Sequence, residues 1–257
     1  MLRARIIPCL LVHKKGLVKT TNFKDPKYVG DPINAVKIFN EKEVDELIVL
    51  DIDATVEKRE PDFEMIKNLA SECRMPFCYG GGITNLDEAK KIISLGAEKV
   101  ALSYSALTNP QLLKTIAKEI GSQSIVVVID VRKRSFLKGG GYDIFVKNGK
   151  QKIESKLTDF IFQLNEIGIG EIVINSIDND GVMCGYDLEL INLVRNLTDL
   201  PITALGGAGS LHHLKDIIQK YKIIGVAAGS LFVFKGKYKA VLINYPNRDE
   251  KFSLLES

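Results

Sequence analysis

Eight short runs rich in β-branched residues recur along the chain, each followed by an amphipathic segment, and this alternation constrains the fold more than any other feature. The runs are RIIPCLLV at 5–12, ELIVLDID at 46–53, PFCYG at 76–80, KVALS at 99–103, SIVVVIDV at 124–131, EIVINSI at 171–177, PITALG at 201–206 and IIGVAAG at 223–229. Unbroken apolar runs of this kind suit strands buried on both faces of a parallel sheet. Helix-start signals lie between them: Asp31 before PINAVKIF, Thr84 three residues before Asp87 as a capping box, and Asn109 followed by Pro110. Eight βα units in 257 residues predict a single (β/α)8 TIM barrel over 1–257. A doubly wound sheet more often has about five to seven strands and one glycine-rich turn near its start.

Two glycine-rich turns sharpen this reading. YGGGIT at 79–84 and LGGAGS at 205–210 lie 126 positions apart. Each follows an apolar run and is itself followed by a second small-residue strand end, VALSYSA at 100–106 and VAAGSLF at 226–232. A strand-to-helix turn without side chains presents bare N–H groups to an anion, most often a phosphate. IVLDIDAT at 48–55 likewise resembles IVINSIDND at 172–180, so the halves are expected to be related by a pseudo-two-fold axis. The stretch 133–153, with its GGG and NG turns, predicts a β-hairpin inserted after strand five.

Composition removes several classes of function. Lys plus Arg number 35 against 32 Asp plus Glu, and a dispersed net charge of +3 gives no case for nucleic acid. No apolar run approaches the roughly 20 residues a membrane helix requires. The four cysteines, Cys9, Cys73, Cys78 and Cys184, show no C-x-x-C spacing, and the N-terminus has no signal-peptide pattern, so a cytoplasmic location is expected. His13, His212 and His213 have no Cys or carboxylate at ligand spacing, which predicts no metal site. No cofactor is expected.

In a barrel of this class, function gathers where strands end. The candidates are Leu11 after strand one, Asp51 and Asp53 after two, Cys78 after three, Ser103 after four, Asp130 after five, and Asn175, Asp178 and Asp180 after six. Carboxylates on opposite sides of a mouth suit general acid and base work. The residues alone leave a second role open for Asp51, Asp53, Asp178 and Asp180, that of capping helices or bracing loops. Asp130 differs, because it ends five apolar positions with no helix start behind it.

The segments RIIPCLLV, GLVKTTNF, YGGGI, KVALS, SIVVVIDV, EIVINSIDNDG with GYD, and ITALGGAG resemble the cyclase subunit of imidazole glycerol phosphate synthase, the HisF family, over about residues 1 to 245. The resemblance implies a barrel that docks a separate HisH-like glutaminase subunit. It also implies that ammonia passes through the barrel core to a bisphosphorylated substrate. By the same correspondence Gly82, Ser103 and Tyr104 match one phosphate site, and Gly181, Gly207, Gly229 and Ser230 match the other. Lys19 falls in the first loop, Asp130 on a catalytic carboxylate, Arg5, Glu46, Lys99 and Glu171 on a charged ring that gates ammonia at the floor, and Glu98 on the partner interface.

The chain departs from the family at Leu11, which stands where the family has an aspartate paired with Asp130 in acid/base catalysis. Cys78, Ser103, Tyr104, Asn175 and Val182 also differ from the family pattern. The segments PCLLV, LVKT, GDPINAVKIFNEKEVDEL, LDIDAT, AAGSLFVF and KAVLINYP resemble the branch associated with acetamidino modification of surface-polysaccharide or flagellin sugars. That branch implies ammonia delivery to a sugar amidotransferase. Histidine biosynthesis, with Asp51, Asp53 or Asp180 standing in for the missing carboxylate, is the alternative. A non-catalytic barrel that only activates the glutaminase, through Glu98 and Lys99, is a third.

Overall fold

The computed structural model describes residues 3–135, 137 and 139–255. Its centre is a closed barrel of eight parallel strands: β1 (Arg5–His13), β2 (Leu47–Asp51), β3 (Phe77–Gly80), β4 (Lys99–Leu102), β5 (Ile125–Lys133), β6 (Glu171–Ser176), β7 (Ile202–Leu205) and β8 (Gly225–Ala228). Each strand pairs with the next, and β8 closes on β1 from Arg5 opposite Gly225 to Pro8 opposite Ala228. The outer layer is formed by α1 (Pro32–Glu41), α2 (Phe63–Glu72), α3 (Leu86–Ser94), α4 (Pro110–Ile120), α5 (Leu157–Ile167), α6 (Leu188–Leu197), α7 (Leu211–Tyr221) and α8 (Arg248–Leu255).

Strand alternation divides the core in two. Outward-facing residues such as Ile6, Leu10, Leu47 and Val49 pack beneath the helices, while Ile7, Cys9, Ile48, Cys78, Val126 and Val173 fill the barrel interior. The expected helix starts are present at Asp31, which accepts from Asn34 N at 2.9 Å, and at Pro110. The capping box lies one residue later than expected, on Asn85 and Glu88 instead of Thr84 and Asp87. Glu88 is long enough to accept from the backbone of both Thr84 and Asn85, at 2.6 and 3.2 Å.

The hairpin after β5 is a continuation of that strand. β5 pairs antiparallel with Tyr142–Val146, which pairs with Gln151–Lys156. Phe136 and Lys138 of this insertion lie outside the described residues. A second hairpin, Gly16–Thr21 with Lys24–Gly30, grows in the same way from β1. The two are related by the pseudo-two-fold axis, which also matches the short helices Tyr104–Thr108 and Ser230–Val233, beginning 126 positions apart. In the first half Ile52 N donates to Val12 O, and in the second Ile177 N donates to Val131 O. The hairpin from β1 crosses to the loop after β6, where Asn22 N donates to Asp180 O at 2.8 Å. The hairpin from β5 crosses the other way, and Asn148 Nδ2 donates to Ile52 O at 2.9 Å.

After β8 the chain returns to the barrel floor. There the Tyr245 hydroxyl donates to Ile6 O at 2.8 Å and accepts from Asp45 N at 3.2 Å, and Lys251 Nζ pairs with Asp45 at 2.7 Å. Tyr245 therefore ties the C-terminal segment to the bases of β1 and β2. Tyr245→Phe leaves the buried Ile6 carbonyl and the Asp45 amide short of a partner. It is expected to cost about 1–3 kcal/mol, read as a lower denaturant midpoint at unchanged slope.

Candidate active site

A cavity of about 810 Å³ opens at the C-terminal ends of the strands, between the two crossing hairpins. Asp130 closes the apolar part of β5 and faces it, and Asn175 Nδ2 on β6 donates to its Oδ1 at 2.9 Å. The protein packed around this carboxyl pushes it up to about 7, against the lowering effect of the Asn175 bond and with some help from the charge of Asp180. Asn175 is buried, and its own Oδ1 has no hydrogen-bond partner among the described residues.

Lys19 reaches the cavity from the β1 hairpin. Its Nζ is buried and donates to Cys9 O at 2.5 Å. Burial lowers the pKa of this amine, and the charge of Asp180 acts in the opposite sense. Burial also raises the Asp180 carboxyl, offset by Lys19 and by the Thr20 hydroxyl, which donates to Asp180 at 3.1 Å. The hairpin thus brings Lys19 to the cavity beside Asp180, which the loop after β6 supplies.

The other acidic candidates have bracing partners. Asp51 accepts from the backbone of Asp53 and Ala54 and from Arg59 Nη2, so little of its carboxylate is left to act as a base. Asp53 Oδ2 accepts from Lys14 N and Asp178 Oδ2 from Lys133 N, both at 2.8 Å, which is the same brace in each half. Asp53 does more than Asp178. Its Oδ1 lies 2.7 Å from His13 Nδ1, and both residues line the cavity. Sequence spacing left His13 without a partner because the contact spans 40 residues.

Gly82, Ser103, Tyr104, Gly229 and Ser230 line the cavity, and Lys147 from the β5 hairpin stands 4.9 Å over the Tyr104 ring. Gly181 and Gly207 lie in turns where another stretch of backbone comes close. A Cβ on Gly207 would fall 2.0 Å from Gly185 O, and one on Gly181 would fall 2.0 Å from Thr20 O. Neither position has room for a side chain, so each admits only glycine. Leu11, with Leu50, Ala101 and Leu205, forms an apolar wall inside the mouth. Cys78 also departs from its expected place at the strand end. β3 runs on to Gly80, so Cys78 lies inside the barrel, opposite Lys99 in register. Burial raises its thiol pKa well above the ordinary value, with Glu46 adding to the rise.

The charged ring forms the floor. Arg5 contacts Glu46 and grips Glu171 at 2.7 and 3.2 Å, while Lys99 Nζ lies 2.7 Å from Glu46 and 2.9 Å from Glu171. Each cation therefore bridges both carboxylates. Burial works against ionisation of Glu171, but Arg5 and Lys99 outweigh it and hold the carboxyl below its usual range. Thr203 adds a hydroxyl hydrogen bond to Glu171. The exposed Glu98 accepts from Phe77 N beside this floor, at 2.6 Å.

The barrel therefore joins an ionised floor, an apolar shaft and a polar mouth that carries a buried lysine and several carboxyl groups. The chain belongs to the histidine biosynthesis protein family, whose pattern matches residues 5–239. It is 54% identical over 254 residues to a protein of Leptospira borgpetersenii provisionally named imidazole glycerol phosphate synthase subunit HisF, covering 99% of each chain. It is 51% identical to a similarly provisional hisF2 of Pseudomonas aeruginosa, over 96% of this chain and 97% of that one. It is 40% identical to imidazole glycerol phosphate synthase subunit HisF of Streptococcus mutans, over 90% and 91%.

The raised Asp130 carboxyl has a consequence for stability. Between its unfolded value of 3.8 and its folded value of about 7 the native state holds a proton that the unfolded chain releases, so this stabilisation is complete below about pH 4 and lost as pH rises to 7. Asp130→Asn is therefore expected to gain stability relative to the native protein at pH 8 and not at pH 4. The gain is at most about 4 kcal/mol, from about 1.4 kcal/mol per pKa unit, and thermal unfolding at the two pH values measures it.

Proposed function

We propose that the chain is the barrel subunit of a two-subunit glutamine amidotransferase, receiving ammonia from a HisH-like glutaminase at its floor and serving acetamidino modification of a surface-glycan sugar. One contrast carries this reading. The floor ring is complete, with both cations and both carboxylates in mutual contact, while the mouth has Leu11 where the cyclase reaction needs a group that exchanges protons. Ammonia delivery is thereby kept and the acceptor chemistry changed. On this reading Glu98 and the neighbouring floor face the glutaminase, and the ligand at the mouth is phosphorylated. Gly82, Ser103 and Tyr104 serve one anionic end, with Gly229 and Ser230 at the other.

Histidine biosynthesis remains a second reading, favoured by the retained Asp130 with its carboxyl tuned near neutrality. The two are separated by supplying purified protein with an ammonium salt and the bisphosphorylated histidine-pathway intermediate. The proposal expects little turnover, since loss of one acid/base group costs about 10² to 10⁴ in rate, and expects Leu11→Asp to raise it. Vigorous cyclisation by the unaltered protein would return the chain to histidine biosynthesis.

The conduit is tested separately in the assembled glutaminase complex. Lys99→Ala leaves Glu46 and Glu171 sharing Arg5 alone, and is expected to lower the product formed per glutamine hydrolysed while ammonium-driven turnover stays the same. Unchanged coupling would remove the conduit. If product formation proved indifferent to Asp130→Asn as well, the barrel would be a glutaminase activator only.

A further inference from the structure

The pseudo-two-fold axis allows the two sides of the mouth to be compared residue by residue. The equivalent hydrogen bonds Ile52 N to Val12 O and Ile177 N to Val131 O align β1 with β5, so Leu11 corresponds to Asp130, His13 to Arg132 and Lys14 to Lys133. Asp53 and Asp178 then brace Lys14 N and Lys133 N in the same way. The halves diverge above that brace. In the second half Arg132 lies 4.9 Å over the Phe145 ring. In the first half the free oxygen of Asp53 takes His13 Nδ1 at 2.7 Å.

His13 shares strand parity with Ile7, Cys9 and Leu11, so it faces the barrel axis one inward position above Leu11. An Nδ1–H donated to a buried carboxylate fixes the ring's orientation and leaves Nε2 as the basic nitrogen. The side chain is 28% exposed, against 9% for Asp53, and both residues line the cavity. Bracing alone does not call for an imidazole, because Asp178 braces its loop without one.

We propose that His13, oriented by Asp53, is the second proton-exchanging group of this pocket, working across the mouth from Asp130. It is displaced outward by two residues of strand, about 7 Å, from the position that Leu11 has made inert. The ligand it serves is a phosphorylated sugar or ketose whose reacting group sits nearer the rim than one held between positions 11 and 130. This inference rests on the pocket being a reaction site, and its spectroscopic test does not depend on the identity of the acceptor.

His13→Asn separates proton exchange from bracing, since its Nδ2 can still donate to Asp53 while the Nε2 function is gone. In the reaction that the ammonium experiment identifies, it is expected to lower kcat by about 10² to 10⁴ with KM within about threefold and thermal stability nearly unchanged. A variant as fast as the native protein would overturn the proposal. Where the ammonium experiment gives no turnover, long-range ¹H–¹⁵N spectra decide, with ribulose 1,5-bisphosphate as the probe. The expected result is a His13 ring protonated at Nδ1 whose Nε2 signal shifts on saturation with the probe. A ring protonated at Nε2, or one indifferent to bound probe, would equally overturn it.

Discussion

Arg5 and Lys99 each touch both Glu46 and Glu171, and the barrel interior is built upward from this neutral ring. Any one of these charges left alone at the base of an apolar shaft would be costly, and the four together satisfy one another only if β1, β2, β4 and β6 hold their register. The ring thus depends on the strand pairings, and the C-terminal segment secures β1 and β2 at their bases through Tyr245 and Lys251. Above the ring the shaft is lined by Ile7, Ile48, Cys78, Val126 and Val173, none of which is charged. On the proposed reading this suits neutral ammonia and excludes the ammonium ion, whose desolvation the shaft cannot offset.

The same two-fold design governs the mouth. Hairpins extend β1 and β5, and each crosses to the loop that follows the second strand of the opposite half, through Asn22 and Asn148. This leaves a cavity walled by backbone turns, with Lys19 on one hairpin and Lys147 on the other. Bracing by Asp53 and Asp178 fixes the strand ends that carry His13 and Arg132.

Much of this architecture was legible in the chain because burial on both faces writes a strand as an unbroken apolar run, and all eight runs are strands. The hairpin from β1 was not legible as one. Its turns place Lys14, Lys15, Asn22 and Phe23 at positive φ, without the glycine that usually signals such a turn. Cys78 was read as a strand end because an apolar run does not reveal where pairing stops, and two further residues keep it inside the barrel. The His13–Asp53 contact arises only when β1 and the loop after β2 are brought together, so no local pattern could announce it.

The pairing of Leu11 with Asp130 across the two-fold axis bears on what the mouth is for. Leucine sits at one of these positions, in register with Leu50 and Val18, without interrupting β1. Nothing in the strand geometry therefore calls for a carboxylate at this depth. At the equivalent position Asp130 is held where its ionised form is disfavoured, with the side-chain hydrogen bond from Asn175 acting against the burial. On the proposed reading, a carboxyl kept at a position where its counterpart manages without one is explained by chemistry performed at that site.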